Sequence, residues 1–287
     1  VNLVRTSVRR RLGLGVYHEL VATDPRGRHF GFGNSMYAFL FGRDDGEYFR
    51  ASGVDFKWSP PVGARESFEF RAYAEQQASV STESSFSLFH AFNGSWEFRP
   101  NVVSNNVEEA GAELRLSPWW GGDPFSTQFG LDLYVQGARW RTTGESVATN
   151  YSRTSAIVRM AVPLVYPTWR LGLEVGGGTT WGDAPMQRSW FLGGTRTLRG
   201  YPGAAAMGSS FTRGRVDVAR TYDVGTLTVF GDVGWAGLRG EFDTDDLLYG
   251  IGVGGSVLDG LFRLDLSHGL TGPDKQFRVD LYLDALL

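Results

Sequence analysis

Residues 277–283 read Phe-Arg-Val-Asp-Leu-Tyr-Leu, and this strict alternation decides the fold class. Successive side chains of an extended chain point to opposite faces, so Phe277 and Val279 would share one face and Arg278 and Asp280 the other. The same period of two recurs along the chain, most clearly at 68–75, 128–136, 169–176 and 262–267. Helical spacing of apolar residues at i, i+3 and i+4 is rare, so the sequence predicts an all-β protein.

The apolar face of each strand must be covered, either by a second sheet in a soluble sandwich or propeller, or by lipid. Three features favour lipid. The alternation runs for ~9–11 residues, whereas strands of soluble proteins average about 5–6. Charged pairs such as Arg263 and Asp265 share the opposite face, as in the polar interior of a membrane barrel. Aromatic residues gather near segment ends, where an interfacial girdle would place them: Trp119, Trp120, Trp140, Tyr166, Trp169, Trp181 and Trp235.

The composition excludes several classes of protein. The 287 residues include 28 Lys and Arg against 31 Asp and Glu, and this net charge of -3 gives no basic excess for nucleic-acid binding. Without cysteine the chain has no disulfide, thiolate metal site or thiol nucleophile. No run of ~18 apolar residues occurs, so a bundle of membrane-spanning helices is excluded. The 39 glycines and 14% aromatic residues fit a folded β-protein instead.

The connections between the alternating segments differ in length. Asp44–Gly46 and Ser59–Gly63 resemble tight turns, whereas Gly182–Ser210 is a long segment rich in Gly, Pro and Ala. A loop of that length in a barrel is usually functional or folded inward. Nine or ten segments precede it and about five follow, and single-chain barrels have even strand numbers. We therefore expect a transmembrane antiparallel β-barrel of 16 strands, or 14, formed by one domain over residues 1–287, with this extracellular loop folded into the lumen.

The long loop contains the sequence Phe-Leu-Gly-Gly-Thr-Arg-Thr-Leu-Arg-Gly-Tyr at 191–201. It resembles the signature loop of the outer-membrane assembly and secretion superfamily typified by BamA, TamA and the two-partner secretion transporters. In that pattern a Gly-Gly pair, here Gly193 and Gly194, precedes an Arg-Gly-aromatic tip, here Arg199, Gly200 and Tyr201. A strand with a central acid follows at 214–218, and 229–234 resembles the Phe-x-Asp-x-Gly strand of the family through Phe230, Asp232 and Gly234. The resemblance covers roughly the C-terminal third of the chain.

The chemistry of this motif can be argued from its residues. Alternation places the carboxylates of Asp217 and Asp232 on the face directed away from lipid. A loop folded back into the lumen could bring Arg199 to them as a charge-assisted, bidentate pair, whereas an unfolded loop would leave Arg199 solvated. Gly200 would permit a tight tip, and Tyr201 would pack against wall aromatics and glycines. The resemblance implies the same locked loop.

The resemblance also implies a location and a class of function. We expect a multi-pass barrel in the outer membrane of a Gram-negative cell, surrounded by its lipid bilayer, that inserts or translocates client polypeptides. Two alternatives stay open: a translocator for a fused patatin-like passenger enzyme, and a simple outer-membrane pore. The family carries periplasmic domains upstream of the barrel, and the 287 residues contain none, so we expect them to be missing from this chain. The chain ends in Leu286-Leu287, whereas such barrels commonly end on an aromatic residue.

Nothing in the sequence favours an enzyme, a cofactor or a metal site. Ser267 and His268 are adjacent on a strand and should point to opposite faces, so they make a poor nucleophile and base. The glycines at 250–255 alternate along a strand with no helix after them, which indicates a smooth wall rather than a nucleotide loop. Asp243, Asp245 and Asp246 lack the spacing of a calcium loop. We therefore expect no catalytic residue, no metal and no cofactor.

Overall fold

The computed structural model describes residues 2–6, 10–24, 30–61, 67–83, 86–94, 98–123, 126–165, 168–258, 260–272 and 275–283. These residues form sixteen strands, which in chain order are β1 (Asn2–Thr6), β2 (Arg11–Ala22), β3 (Tyr48–Ser59), β4 (Phe68–Ser79), β5 (Val107–Leu116), β6 (Trp119–Trp120), β7 (Gln128–Thr142), β8 (Thr149–Val165), β9 (Trp169–Gly182), β10 (Trp190–Leu192), β11 (Ala206–Gly208), β12 (Ser210–Tyr222), β13 (Gly225–Gly237), β14 (Leu248–Val257), β15 (Phe262–Gly269) and β16 (Phe277–Leu283). The helices are α1 (Phe32–Phe41), α2 (His90–Asn93), a 3-10 turn (Met186–Arg188) and α3 (Gly194–Thr197).

Fourteen strands form one antiparallel sheet in which neighbours in sequence are neighbours in space. The exceptions are β6, which pairs only with β7, and β9, which pairs with β12 across the long loop. Strands β10 and β11 form a separate two-stranded sheet within that loop. The prediction of an all-β antiparallel sheet of 14 to 16 strands is confirmed. Among the described residues no pairing joins β1 to β16.

The connections alternate between two ends of the sheet. At one end they are short, as at 223–224, and at the other they include the long segments that join β2 to β3, β4 to β5 and β9 to β12. This asymmetry is typical of outer-membrane barrels. Asp44–Gly46, interpreted from the sequence as a tight turn, does not join two neighbouring strands, because it lies between α1 and β3. Of Ser59–Gly63, the last two residues lie outside the described part of the chain.

The two faces of the sheet have opposite polarity, and the apolar face is the exposed one. On β13, Leu227 and Val229 are 58% and 63% exposed, whereas Asp232 is 5% exposed. On β15, Leu264 is 46% exposed and Asp265 is fully buried. A soluble sandwich would bury the apolar face and expose the charges. This inverted arrangement is the one that a surrounding bilayer stabilises, since apolar groups meet hydrocarbon and polar groups are satisfied inside.

The predicted aromatic girdle is only partly present. Trp120 and Trp181 are 50% and 41% exposed near strand ends. Trp235, however, is buried against Phe242, with ring centroids 5.2 Å apart. Trp119 lies over Gly130 on the polar face, because that glycine leaves room for its ring. Alternation alone could not tell which tryptophans face the bilayer. Phe242 of a neighbouring loop covers Trp235, and the pairing of the two-residue strand β6 with β7 places Trp119 over Gly130. Tyr166 lies outside the described residues.

Helix α1 packs against β16, the last strand. The close approach requires Gly33, whose missing side chain would meet the backbone of Leu281 and Tyr282. The helix ends at Gly42 in a left-handed conformation (φ 62°), which suits a residue without a side chain. In the described part of the chain, no helix has the length and apolarity needed to cross a membrane.

Candidate functional site

The segment 183–209, called the inner loop below, lies against the polar face of the sheet. Its apolar side chains are removed from solvent: Leu192 and Leu198 are fully buried and Tyr201 is 1% exposed. Trp190 packs against Phe211, with centroids 4.9 Å apart. The pairing of β10 with β11 closes the loop on itself. The many Gly and Ala residues of this segment permit the compact structure, because their small side chains let its backbone approach the sheet closely.

Arg199 lies at the centre of the contacts between the inner loop and the sheet. Its Nη2 and Nε donate to the carboxylate of Asp232 at 2.6 and 3.0 Å, and its backbone N–H donates to the same group at 2.8 Å. Nη2 also donates to Asp217 at 2.7 Å. Arg215 approaches Asp232 from the other side at 3.2 Å. Arg199 is 3% exposed, so these are charge-assisted contacts in a desolvated site.

An aromatic ring completes the surroundings of Arg199. The guanidinium carbon lies 3.7 Å from the ring centroid of Phe230, which is 3% exposed. This is a cation–π contact within its favourable range. The ring fits because the facing position on β14 is Gly252, where a side chain would collide with it. The alternating glycines of β14 therefore make space for particular groups rather than forming a featureless wall.

Tyr201 packs on glycines of the neighbouring strands. A side chain at Gly269 would lie 2.8 Å from its ring, and Gly250 faces the backbone of Arg199 beside it. Its hydroxyl contacts the carbonyl oxygens of Tyr249 and Thr271, each at 2.8 Å. The tip of the motif is thus held at the ends of β14 and β15 by both packing and hydrogen bonds.

The remaining motif residues shape the loop. Gly193, Gly194 and Gly200 have positive φ values of 135°, 75° and 89°, which disfavour any residue with a side chain. Gly194 N–H donates to the carbonyl of Tyr201 at 2.8 Å, closing the loop between the two halves of the motif. Gly234 on β13 faces Leu198, whose Cδ1 would be 3.3 Å from an added Cβ. The structure brings all nine predicted site residues together.

Gly200 offers a test of how tightly the tip is held. An added Cβ would lie 2.8 Å from the backbone of His268, whereas Gly144, with the same φ of 89°, has open space around it. Gly144→Ala carries only conformational strain of about 1–2 kcal/mol. Gly200→Ala adds the collision, and we expect it to lower the free energy of unfolding by about 3 kcal/mol. Denaturant unfolding of the two variants measures the difference, and equal values would contradict the close packing of the tip.

A second cluster of buried charges was not predicted. Arg188, in the 3-10 turn of the inner loop, binds Glu109 at 2.7 Å and Glu75 at 2.9 Å. The side chain of Glu109 is fully buried and that of Glu75 is 2% exposed. Tyr73 donates to Glu109 at 2.6 Å. The signal in the sequence was an acid on the inward face of β4 and another on β5, but nothing local identifies their partner.

A third contact joins a different loop to the inner loop. Asp45, after α1, accepts a hydrogen bond from Gly203 N–H at 3.0 Å and binds Arg278 of β16 at 2.6 Å. Burial alone would raise the pKa of the Asp45 carboxyl, but Arg278 and the Gly203 N–H outweigh it and lower that pKa. The segment 23–47 therefore ties the inner loop to the last strand.

The described histidines that the sequence singled out lie apart from one another. Ser267 is 2% exposed on the polar face, while the His268 ring stacks on Phe277 with centroids 4.4 Å apart. His18 Nδ1 lies 2.6 Å from Ser52 Oγ, an exposed cross-strand pair that was not predicted. Within the described residues, no carboxylate binds His18 to complete a catalytic triad. His29 lies outside the described residues.

Comparison with known proteins finds similar structures but no matching sequence. No protein-family model and no curated protein matches the sequence. BamA from Haemophilus ducreyi, in a form lacking POTRA domains 1–3, has a similar structure, with a TM-score of 0.56 and 11% identity over 95% of this chain and 58% of that chain. CdiB from Acinetobacter baumannii matches with a TM-score of 0.40 and 16% identity over 95% of this chain and 53% of that chain.

The P. putida toluene transporter TodX matches more weakly, with a TM-score of 0.33 and 10% identity over 98% of this chain and 78% of that chain. The chain spans less than two thirds of the length of the BamA and CdiB chains. At 10–16% identity these matches concern the fold alone. Of the three, the BamA match is the one with a TM-score above 0.5. The fold of this chain is similar to that of the BamA β-barrel.

Proposed function

We propose that the chain is the outer-membrane barrel of a protein insertion or secretion factor, with the inner loop locked inside the lumen. The proposal assigns the polar face of the sheet to the lumen and the exposed apolar face to the bilayer. Client polypeptides are its partners, and it has no enzymatic role of its own.

The observation that carries the proposal is the desolvated contact of Arg199 with Asp232, Asp217 and Phe230. Several charge-assisted hydrogen bonds from a single loop residue are more than a solvated loop would form. A lumen filled in this way suits a barrel that acts on polypeptides at its wall or through a regulated opening. It suits a permanently open pore less well, because the inner loop would obstruct diffusion.

Client assembly in a defined membrane tests the function. The chain is reconstituted into lipid vesicles, an unfolded outer-membrane barrel protein is added, and its folding is followed by heat-resistant migration in gels. We expect faster folding than in protein-free vesicles. Arg199→Gln should reduce the acceleration, since the amide cannot replace the bidentate guanidinium.

The matched control is Arg141→Gln. Arg141 also pairs with a carboxylate, Glu108 at 2.5 Å, but both side chains are exposed, at 47% and 39%. This variant should assemble the client as well as the parent protein does. If the parent protein were no faster than empty vesicles, the insertion role would be wrong. If Arg199→Gln and Arg141→Gln accelerated client folding equally, the Arg199 contacts of the inner loop would not contribute to client assembly.

A further inference from the structure

A cavity of about 450 Å³ opens on the polar face, between strands β7, β8, β9 and β12 and the inner loop. We call it the arginine cavity. Its charged lining consists of five arginines and one glutamate: Arg159, Arg170, Arg196, Arg213, Arg215 and Glu174. Its volume lies in the range of small-molecule sites, which are ~300–1,000 Å³. It is separate from the Arg188 cluster, and it adjoins the Arg199 contacts through Arg215, which also binds Asp232.

The carboxylates that bind the arginines of the cavity are shared between several guanidinium groups. Glu174 binds Arg159 at 2.7 Å and Arg213 at 2.6 Å, so a single acid serves two guanidinium groups. Arg215 contacts Asp232 at 3.2 Å, but Asp232 also binds Arg199 at 2.6 Å. Cationic walls in a confined, partly desolvated space focus a positive potential into it. An anion in the cavity would therefore be bound with a more favourable electrostatic energy than an anion beside an exposed lysine.

Arg170 is the residue that most clearly points to a ligand. Its Nη2 donates to the amide oxygen of Gln128 at 2.5 Å, and among the described residues it forms no ion pair. Its Nε is buried and has no hydrogen-bond partner in the part of the chain that the structure describes. A buried donor without an acceptor is costly, and a bound acceptor would remove that cost. The guanidinium fork matches the oxygens of phosphate or carboxylate in two-point contacts.

We propose that the arginine cavity binds a soluble anion bearing phosphate groups. Gln128 and Arg170 lie within the first two residues of β7 and β9, at the short-connection end of the sheet, so the ligand would enter from that side. Arg196, on α3 of the inner loop, forms the opposite boundary. Trp119, over Gly130, is one wall of the cavity and offers its indole as a reporter.

The test uses the whole chain in non-ionic detergent and inorganic pyrophosphate as the probe. Calorimetric titration at constant ionic strength should show saturable binding of one pyrophosphate per chain. Arg170→Gln should weaken it at least about tenfold, the effect of losing one charge-assisted contact. This variant leaves no carboxylate unpaired, so the barrel should keep its fold, which heat-modified gel migration verifies. Arg141→Gln, at an exposed ion pair, should bind as the parent protein does.

Two further measurements sharpen the result. Pyrophosphate should change the tryptophan fluorescence of the parent protein, and Trp119→Phe should remove that change while calorimetric binding persists. Added phosphatidylglycerol should not compete. The proposal would be overturned by an absence of saturable binding, by equal weakening in Arg170→Gln and Arg141→Gln, or by competition from the lipid, which would assign the site to a lipid headgroup. None of these readouts depends on client assembly, so failure here and failure of the proposed function are distinguishable.

Discussion

Replacing Arg188 with Met should lower the free energy of unfolding by about 3–5 kcal/mol, among the largest effects of any single substitution in this chain. The guanidinium is the cation that the inner loop supplies to Glu109 and Glu75, both almost completely buried. Met conserves most of the volume but supplies no charge. Glu109 would stay desolvated and, among the described residues, would keep only the hydrogen bond from the Tyr73 hydroxyl. Glu75 would keep its 3.2 Å contact with Arg71. Denaturant unfolding in detergent, followed by tryptophan fluorescence, measures the loss.

Two comparisons separate charge from packing in this experiment. Arg141→Met removes an exposed pair, which is worth about 0–1 kcal/mol, and should change little. The triple variant Arg188→Met/Glu75→Gln/Glu109→Gln removes the orphaned charges and should recover much of the stability, because neutral replacements of a buried ion pair are often well tolerated. A loss equal to that of Arg141→Met would mean that the inner loop is not held by this cluster.

The second large effect is expected at Arg199. Arg199→Met should lower the free energy of unfolding by about 3 kcal/mol or more. The Asp232 side chain is 1% exposed and, among the described residues, would retain only Arg215 as a cation. The contact with the Phe230 ring would be lost as well. Arg199→Lys should be intermediate, because an ammonium keeps the charge but cannot bind Asp232 through two nitrogens while reaching Asp217.

A double-mutant cycle tests whether this energy belongs to the pair. Asp232→Asn alone leaves Arg199 with Asp217, and the combined variant removes both charges. We expect a coupling energy of about 1–3 kcal/mol between the two sites, the range found for residues in one network. Additive effects would show that Arg199 and Asp232 stabilise the protein independently, contrary to the 2.6 Å contact between them.

The fold could be predicted from the sequence because its signal is local. A period of two needs only neighbouring residues, so the alternation at 277–283 already separates Asp280 from Val279. The motif residues could be predicted for the same reason: Asp217 and Asp232 each lie at the centre of a clear strand, and 199–201 form one short stretch. Strand parity alone places the side chains of Asp217 and Asp232 on the same face, and it leaves open which cation binds them.

What the sequence could not determine are the contacts between residues far apart along the chain. Arg188 meets Glu75 across 113 positions, and Arg278 meets Asp45 across 233. The turn expected at Asp44–Gly46 became part of a long segment because α1 packs on β16, and Trp235 left the girdle because a loop covers it. Arg170 is another example, because no residue near it in the sequence indicates that it lines a cavity with four other arginines and a single glutamate. Strand direction is set by backbone geometry within a few residues, whereas these contacts exist only after the sheet has placed its strands side by side and the inner loop has packed against its polar face.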